Sequence, residues 1–127
     1  MKRDQGVAIA IIGAIVLVGI IAVSFAARKM SSFLGADEKF GDQHLKTAVA
    51  LVELHKIRYG RYPNALSDLR FVGEWDGIAL NSVSYHANDA GTRYCIEVER
   101  GWIGKPRLQM PAEFWRGTGY DPSLCRQ

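Results

Sequence analysis

The stretch Val7–Ala27, VAIAIIGAIVLVGIIAVSFAA, decides the fold. It carries no charge, with Lys2 and Arg3 ahead of it and Arg28 and Lys29 behind. At about 1.5 Å of rise per residue, a helix of this length reaches roughly 31 Å, the thickness of a bilayer's hydrocarbon core. Its only hydroxyl is Ser24, which can bond back to a carbonyl one turn earlier. A soluble helix this long needs a polar face, and this one has none. The pattern predicts a transmembrane helix over 7–29, preceded by the short leader 1–6.

Beyond the anchor, residues 30–127 suffice for one small domain. The formal net charge is only +3, and acids and bases interleave, as in Asp37-Glu38-Lys39 and Glu97–Arg100. No Lys/Arg cluster that would grip a phosphate backbone occurs, so no nucleic-acid partner is expected. The only two cysteines, Cys95 and Cys125, both lie past the anchor. An even pair there predicts a disulfide and a non-cytoplasmic compartment. Two isolated cysteines without a histidine pair cannot complete a zinc shell. Flanking charge leans faintly toward a cytoplasmic domain. The cysteine pair outweighs it, placing the C-terminal domain of a single-pass protein outside the cytoplasm.

In the polar half, Leu45, Ala48, Val49 and Val52 recur at helical spacing, widened by Leu51, Leu54 and Ile57. One long helix is expected to about residue 59, with a bend or local melting between Ser31 and Gly41, where Gly35, Gly41 and two serines weaken it. Gly60 suits the cap and Pro63 bars continuation. Asn64 is the expected N-cap of a short turn over 64–69, and Trp75-Asp76-Gly77 reads as a turn. The runs 78–86 and 93–100 alternate around the turn residues 88–91, predicting an antiparallel hairpin. Tyr94, Ile96 and Val98 would lie on the helix, with Cys95, Glu97 and Glu99 opposite. Residues 107–110 are read as a short third strand between Pro106 and Pro111. The tail from Glu113 is expected to hold little regular structure. The fold class is therefore α+β: a long helix, membrane-spanning in its first half, packed on a small antiparallel sheet.

This layout resembles the type IV pilins and type II secretion pseudopilins. A basic leader ending in Gly6 precedes the apolar helix, and ALVELHKIRYGRYPNALSDL (50–69) resembles the family's helix end. The strand YCIEVE (94–99) and the late Cys125 resemble its sheet and disulfide-bounded loop. The resemblance implies cleavage by a prepilin peptidase between Gly6 and Val7, partners of the same kind packed through the helix, and no cofactor. It also implies the inner membrane as the location, with the domain periplasmic or extracellular. The family usually places phenylalanine or methionine where Val7 stands, and glutamate at the fifth mature position, where this chain has Ile11. That glutamate is thought to pair with a neighbour's N-terminal amine, since an unpaired charge in hydrocarbon is costly. Its absence implies a minor subunit. The alternative is a single-pass envelope protein whose small domain binds a partner without forming a filament. Pairs Ala10/Ala14 and Ala22/Ala26 would permit close helix packing.

No enzyme site emerges from the residue pattern. His44 and His55 stand about 16 Å apart along a helix and cannot share a metal. His86 lies on an expected strand without a metal or catalytic spacing around it. The serines form no nucleophile elbow and the glycines no phosphate loop. Asp121 offers one carboxylate toward calcium, which is no cage. Trp75, Trp102, Trp115 and Tyr120 are read as packing residues, with Trp102 and Trp115 as the pair that could face a partner.

Overall fold

The structure is a computed structural model. It describes the backbone of residues 2–126 and the side chains of these except 2–4, 33 and 34. The Lys2 and Arg3 side chains, which enter the charge comparison across the anchor, thus lie outside the described residues. The chain divides into two units between Gly35 and Ala36, a little beyond the expected end of the anchor.

Helix α1 runs Lys2–Tyr59. In the first unit its apolar side chains from Val7 to Phe25 are exposed, and this part is long and apolar enough to cross a membrane. The Ser24 hydroxyl donates to the Ile20 carbonyl at 2.8 Å, so the one polar side chain of the run is satisfied within the helix. Both Gly6 and Val7 lie in α1, and Val7 is exposed. The expected melting between Ser31 and Gly41 is not found, because the backbone stays helical through both glycines.

In the second unit α1 buries Leu45, Ala48, Val49 and Val52. It stops at Gly60, whose φ of +78° continues no right-handed helix. The Lys56 amine donates to the Gly60 carbonyl at 2.8 Å and neutralises part of the helix end. A 3-10 turn follows at Leu66–Asp68, then α2 at Asp76–Leu80. Strands β1 (Val83–Ala87) and β2 (Tyr94–Val98) pair antiparallel, with Tyr85 opposite Ile96 and His86 opposite Cys95. After β2 come α3 (Ala112–Trp115) and a 3-10 turn at Pro122–Arg126. As expected, Tyr94, Ile96 and Val98 close the core against α1.

Several local expectations are corrected. The 3-10 turn is capped through Ala65, whose N–H donates to Asp68 Oδ2 at 3.1 Å. Asn64 instead accepts from Arg61 Nη2 at 2.8 Å. Residues 76–80 are helical, so the strand begins five positions later than the alternation from Ile78 implied. Residues 107–110 form no strand. Pro106 is buried and Leu108 and Met110 are half-buried, so the alternation records burial without ladder pairing. The tail is more ordered than expected, through α3, the final turn and a bridge between Tyr94 and Tyr120.

Gly41 is where α1 meets this strap. A Cβ there would stand 2.6 Å from Pro106 Cγ and 3.5 Å from Val98 Cγ1. The glycine that weakens the helix locally is thus what lets Pro106 seal the core.

Candidate functional site

Tyr94 is fully buried and organises the head. The Asn88 N–H donates to Arg93 O at 3.0 Å and the Glu99 N–H to Ser82 O at 2.9 Å. In this antiparallel register the odd-numbered residues of β2 therefore face β1, and Tyr94 turns its backbone groups to the opposite edge. There its N–H donates to Gly119 O at 2.9 Å and its carbonyl accepts from the Asp121 N–H at 2.8 Å. The Cys95–Cys125 disulfide locks the same stretch to the next residue of the strand, with Cα atoms 5.4 Å apart.

Side chains repeat the connection. The Tyr94 hydroxyl donates to Glu53 Oε1 at 2.9 Å. The Tyr62 hydroxyl lies 3.1 Å from each Glu53 oxygen and donates to that carboxylate. It also accepts from the Gly119 N–H at 2.7 Å. A Cβ on Gly119 would overlap the Tyr62 ring, so this approach excludes any larger residue. Tyr85 stacks near Tyr94, with centroids 5.8 Å apart, and its hydroxyl donates to Pro63 O at 2.7 Å. Trp115 stacks on Tyr120 at 3.8 Å. Burial, reinforced by the Glu53 charge, pushes the Tyr62 phenol up to about 12. It raises Tyr94 further for the same two reasons, and raises Tyr85 with added repulsion from Tyr62 and Glu53.

These phenols are hydrogen-bonded into the core and do not open onto a cleft. Trp115 is half-buried and stacked on Tyr120. Asp121 is also engaged: Oδ1 accepts from the Ser123 N–H at 2.9 Å and from its hydroxyl, and Oδ2 pairs with Arg93 at 3.2 Å. Those bonds to Ser123 and Arg93 hold its carboxyl below the usual range. The Glu97 carboxylate lies within 4.8 Å of the Cys95 and Cys125 sulfurs. The sulfurs are bonded to each other, so this group offers one carboxylate and no thiolate.

The structure does not bring the histidines together. His44 sits beside Phe40, with ring centroids 5.8 Å apart, and His55 beside Tyr59 at 4.6 Å. Each has a buried Nδ1 without a hydrogen-bond partner. Burial lowers both pKa values, assisted by Arg100 at His44 and by Arg61 and Arg70 against the opposing Asp68 at His55. His86 is exposed on β1.

The surface of the head that stands out is aromatic. Trp75 is 81% exposed, Ile78 52%, Trp102 63% and Ile103 67%. Phe40, His44, Trp75, Ile78, Arg100 and Trp102 line a groove of about 630 Å³. Trp102 leans on Phe40 with centroids 4.9 Å apart. Its loop is pinned by Asp37, which accepts from the Ile103 N–H at 2.7 Å and the Gly104 N–H at 3.1 Å. Sequence reasoning picked out Trp102 but missed Asp37 and Glu53. For Glu53 a signal existed: it falls four residues after Val49 and eight after Leu45, a carboxylate on the apolar row itself. Nothing in the sequence marks Asp37.

Comparison of the chain with models of protein families, with curated proteins and with solved structures finds no match.

Proposed function

We propose that the chain is a structural subunit of a pilus or pseudopilus filament, a minor pilin or pseudopilin, anchored by residues 7–27. The supporting observation is one continuous element with two kinds of surface. Helix α1 is apolar all round in its first half, and in its second half buries a stripe against an antiparallel hairpin. A disulfide-tethered tail then closes on that hairpin. In such a subunit the anchor contributes assembly energy by packing among neighbouring helices, helped by its alanines. The head supplies specificity, and no cofactor or catalytic group takes part.

Processing by a prepilin peptidase between Gly6 and Val7 belongs to this reading. So do an inner-membrane precursor and a head that is periplasmic or extracellular. Ile11 favours the second reading, a single-pass envelope protein whose head binds a partner without polymerising, because the charge that recruits a subunit into the middle of a filament is missing.

Intact mass and N-terminal sequence of the native protein test the proposal, measured with and without reductant. A chain beginning at Val7 that gains two protons on reduction supports it. A mature chain that keeps Met1 removes the processing step and leaves the non-filament reading. Replacing Ile11 with Glu adds a second arm: improved incorporation into sheared filaments supports the subunit role, and loss of membrane insertion alone counts against it.

A further inference from the structure

The loop Gly101–Gly104 raises two apolar side chains, Trp102 and Ile103, both mostly exposed, between two glycines. Exposed apolar tips are common, but three backbone amides of this one are hydrogen-bonded. The Gly101 N–H donates to Gly104 O at 2.6 Å, and the Ile103 and Gly104 N–H groups both donate to Asp37. A Cβ on Gly101 would stand 2.8 Å from Asp37 Oδ1, so this glycine permits the clasp. Amide groups that enter a poorly hydrated region unpaired cost free energy, and here three of them are already satisfied. The exposed cations Arg100 and Lys105 flank the tip. An aromatic ring, an apolar neighbour and flanking cations make up the composition of a bilayer interface, where the ring sits at headgroup depth and the cations meet phosphate.

The occupant follows from connectivity. Asp37, which clasps the tip, stands eight residues after Lys29, the basic end of the apolar run. A backbone extends at most about 3.6 Å per residue, so whatever path residues 30–36 take, Asp37 stays within roughly 29 Å of that end. We propose that the Trp102–Ile103 tip is a membrane-interface contact that enters the lipid headgroup region of the bilayer in which the chain is anchored. This rests on the reading of residues 7–27 as a membrane anchor.

The test uses the full chain reconstituted into vesicles of phosphatidylethanolamine and phosphatidylglycerol, with and without brominated acyl chains. Retention on the vesicles after alkaline washing reports the anchor by itself. Brominated lipid is expected to quench tryptophan emission of the parent chain, with about half or more of that quenching lost in Trp102→Phe. Ile103→Glu, at a position exposed enough to leave the fold alone, is expected to reduce it as well. A chain that washes off the vesicles overturns the anchor reading. One that is retained but unquenched, or whose quenching survives Trp102→Phe, overturns the tip proposal alone. Cross-linking through residue 103 between copies, without quenching, also overturns it and assigns the tip to self-association.

Discussion

The Tyr94 hydroxyl donates to the Glu53 carboxylate at 2.9 Å, across forty-one positions of sequence. With Tyr62 on the same carboxylate, this one acidic side chain joins α1, the connection after it and β2. Phenols closed off from water depend on such an acceptor, because removing it leaves the donors unpaired. Glu53→Ala is expected to destabilise the head by about 1–3 kcal/mol, and Glu53→Gln, which keeps a carbonyl acceptor, by less. Urea unfolding of the two variants separates these outcomes. A double-mutant cycle with Tyr94→Phe should show clear non-additivity.

The disulfide closes a separation of 30 residues. In the chain-entropy model such a loop is worth about 3–4 kcal/mol. Reduction, or Cys95→Ser with Cys125→Ser, is expected to lower the denaturation midpoint by a corresponding amount. Hydrogen exchange should also quicken at the Asp121 amide, whose acceptor is the Tyr94 carbonyl.

Gly41→Ala sets helix propensity against packing. Propensity alone predicts a gain of about 1 kcal/mol. The new methyl would stand 2.6 Å from Pro106 Cγ, so the strap must move. Overpacking of this kind costs about 1–3 kcal/mol, and a net loss of stability is the expected result by thermal unfolding.

Alkaline stability should follow the tyrosines. Tyr62 is pushed up to about 12, and Tyr85 and Tyr94 are also raised, chiefly by burial. A group raised in the folded state contributes stability that is whole below its unfolded pKa, near 10 for tyrosine. That stability is lost as pH climbs through the folded value. The head is therefore expected to unfold above pH 10, with phenolate absorbance rising together with loss of structure. His44 and His55 act at the other end. Their lowered values add stability above 6.5 that fades as pH falls through the folded pKa.

Features with a period were legible in the sequence. The stripe from Leu45 to Val52 and the alternation through Tyr94, Ile96 and Val98 each reported one buried surface correctly, and the unbroken apolar run reported a helix long and apolar enough to cross a membrane. The cysteine pair was legible because few partners were available. Alternation failed where it had to distinguish pairing from burial. Pro106, Leu108 and Met110 turn inward without joining β2, and Ile78 and Leu80 are two apolar residues of a short helix. A window of five residues cannot separate these cases. Asp37 and Gly41 were illegible for another reason. Each acts on residues more than sixty positions away, 103 and 104 for one and 106 for the other.

The placement of β2 between β1 and residues 119–121 carries a consequence for biosynthesis. While the chain is being made, β1, β2 and the stripe of α1 exist before Gly119, Asp121 and Cys125 do. Until those residues arrive, Tyr94 lacks both backbone partners on its outer edge, Tyr62 lacks the Gly119 amide and Cys95 has no sulfur to join. The head can thus be completed only after synthesis has passed residue 125, late enough for the apolar run to have met its own surroundings first.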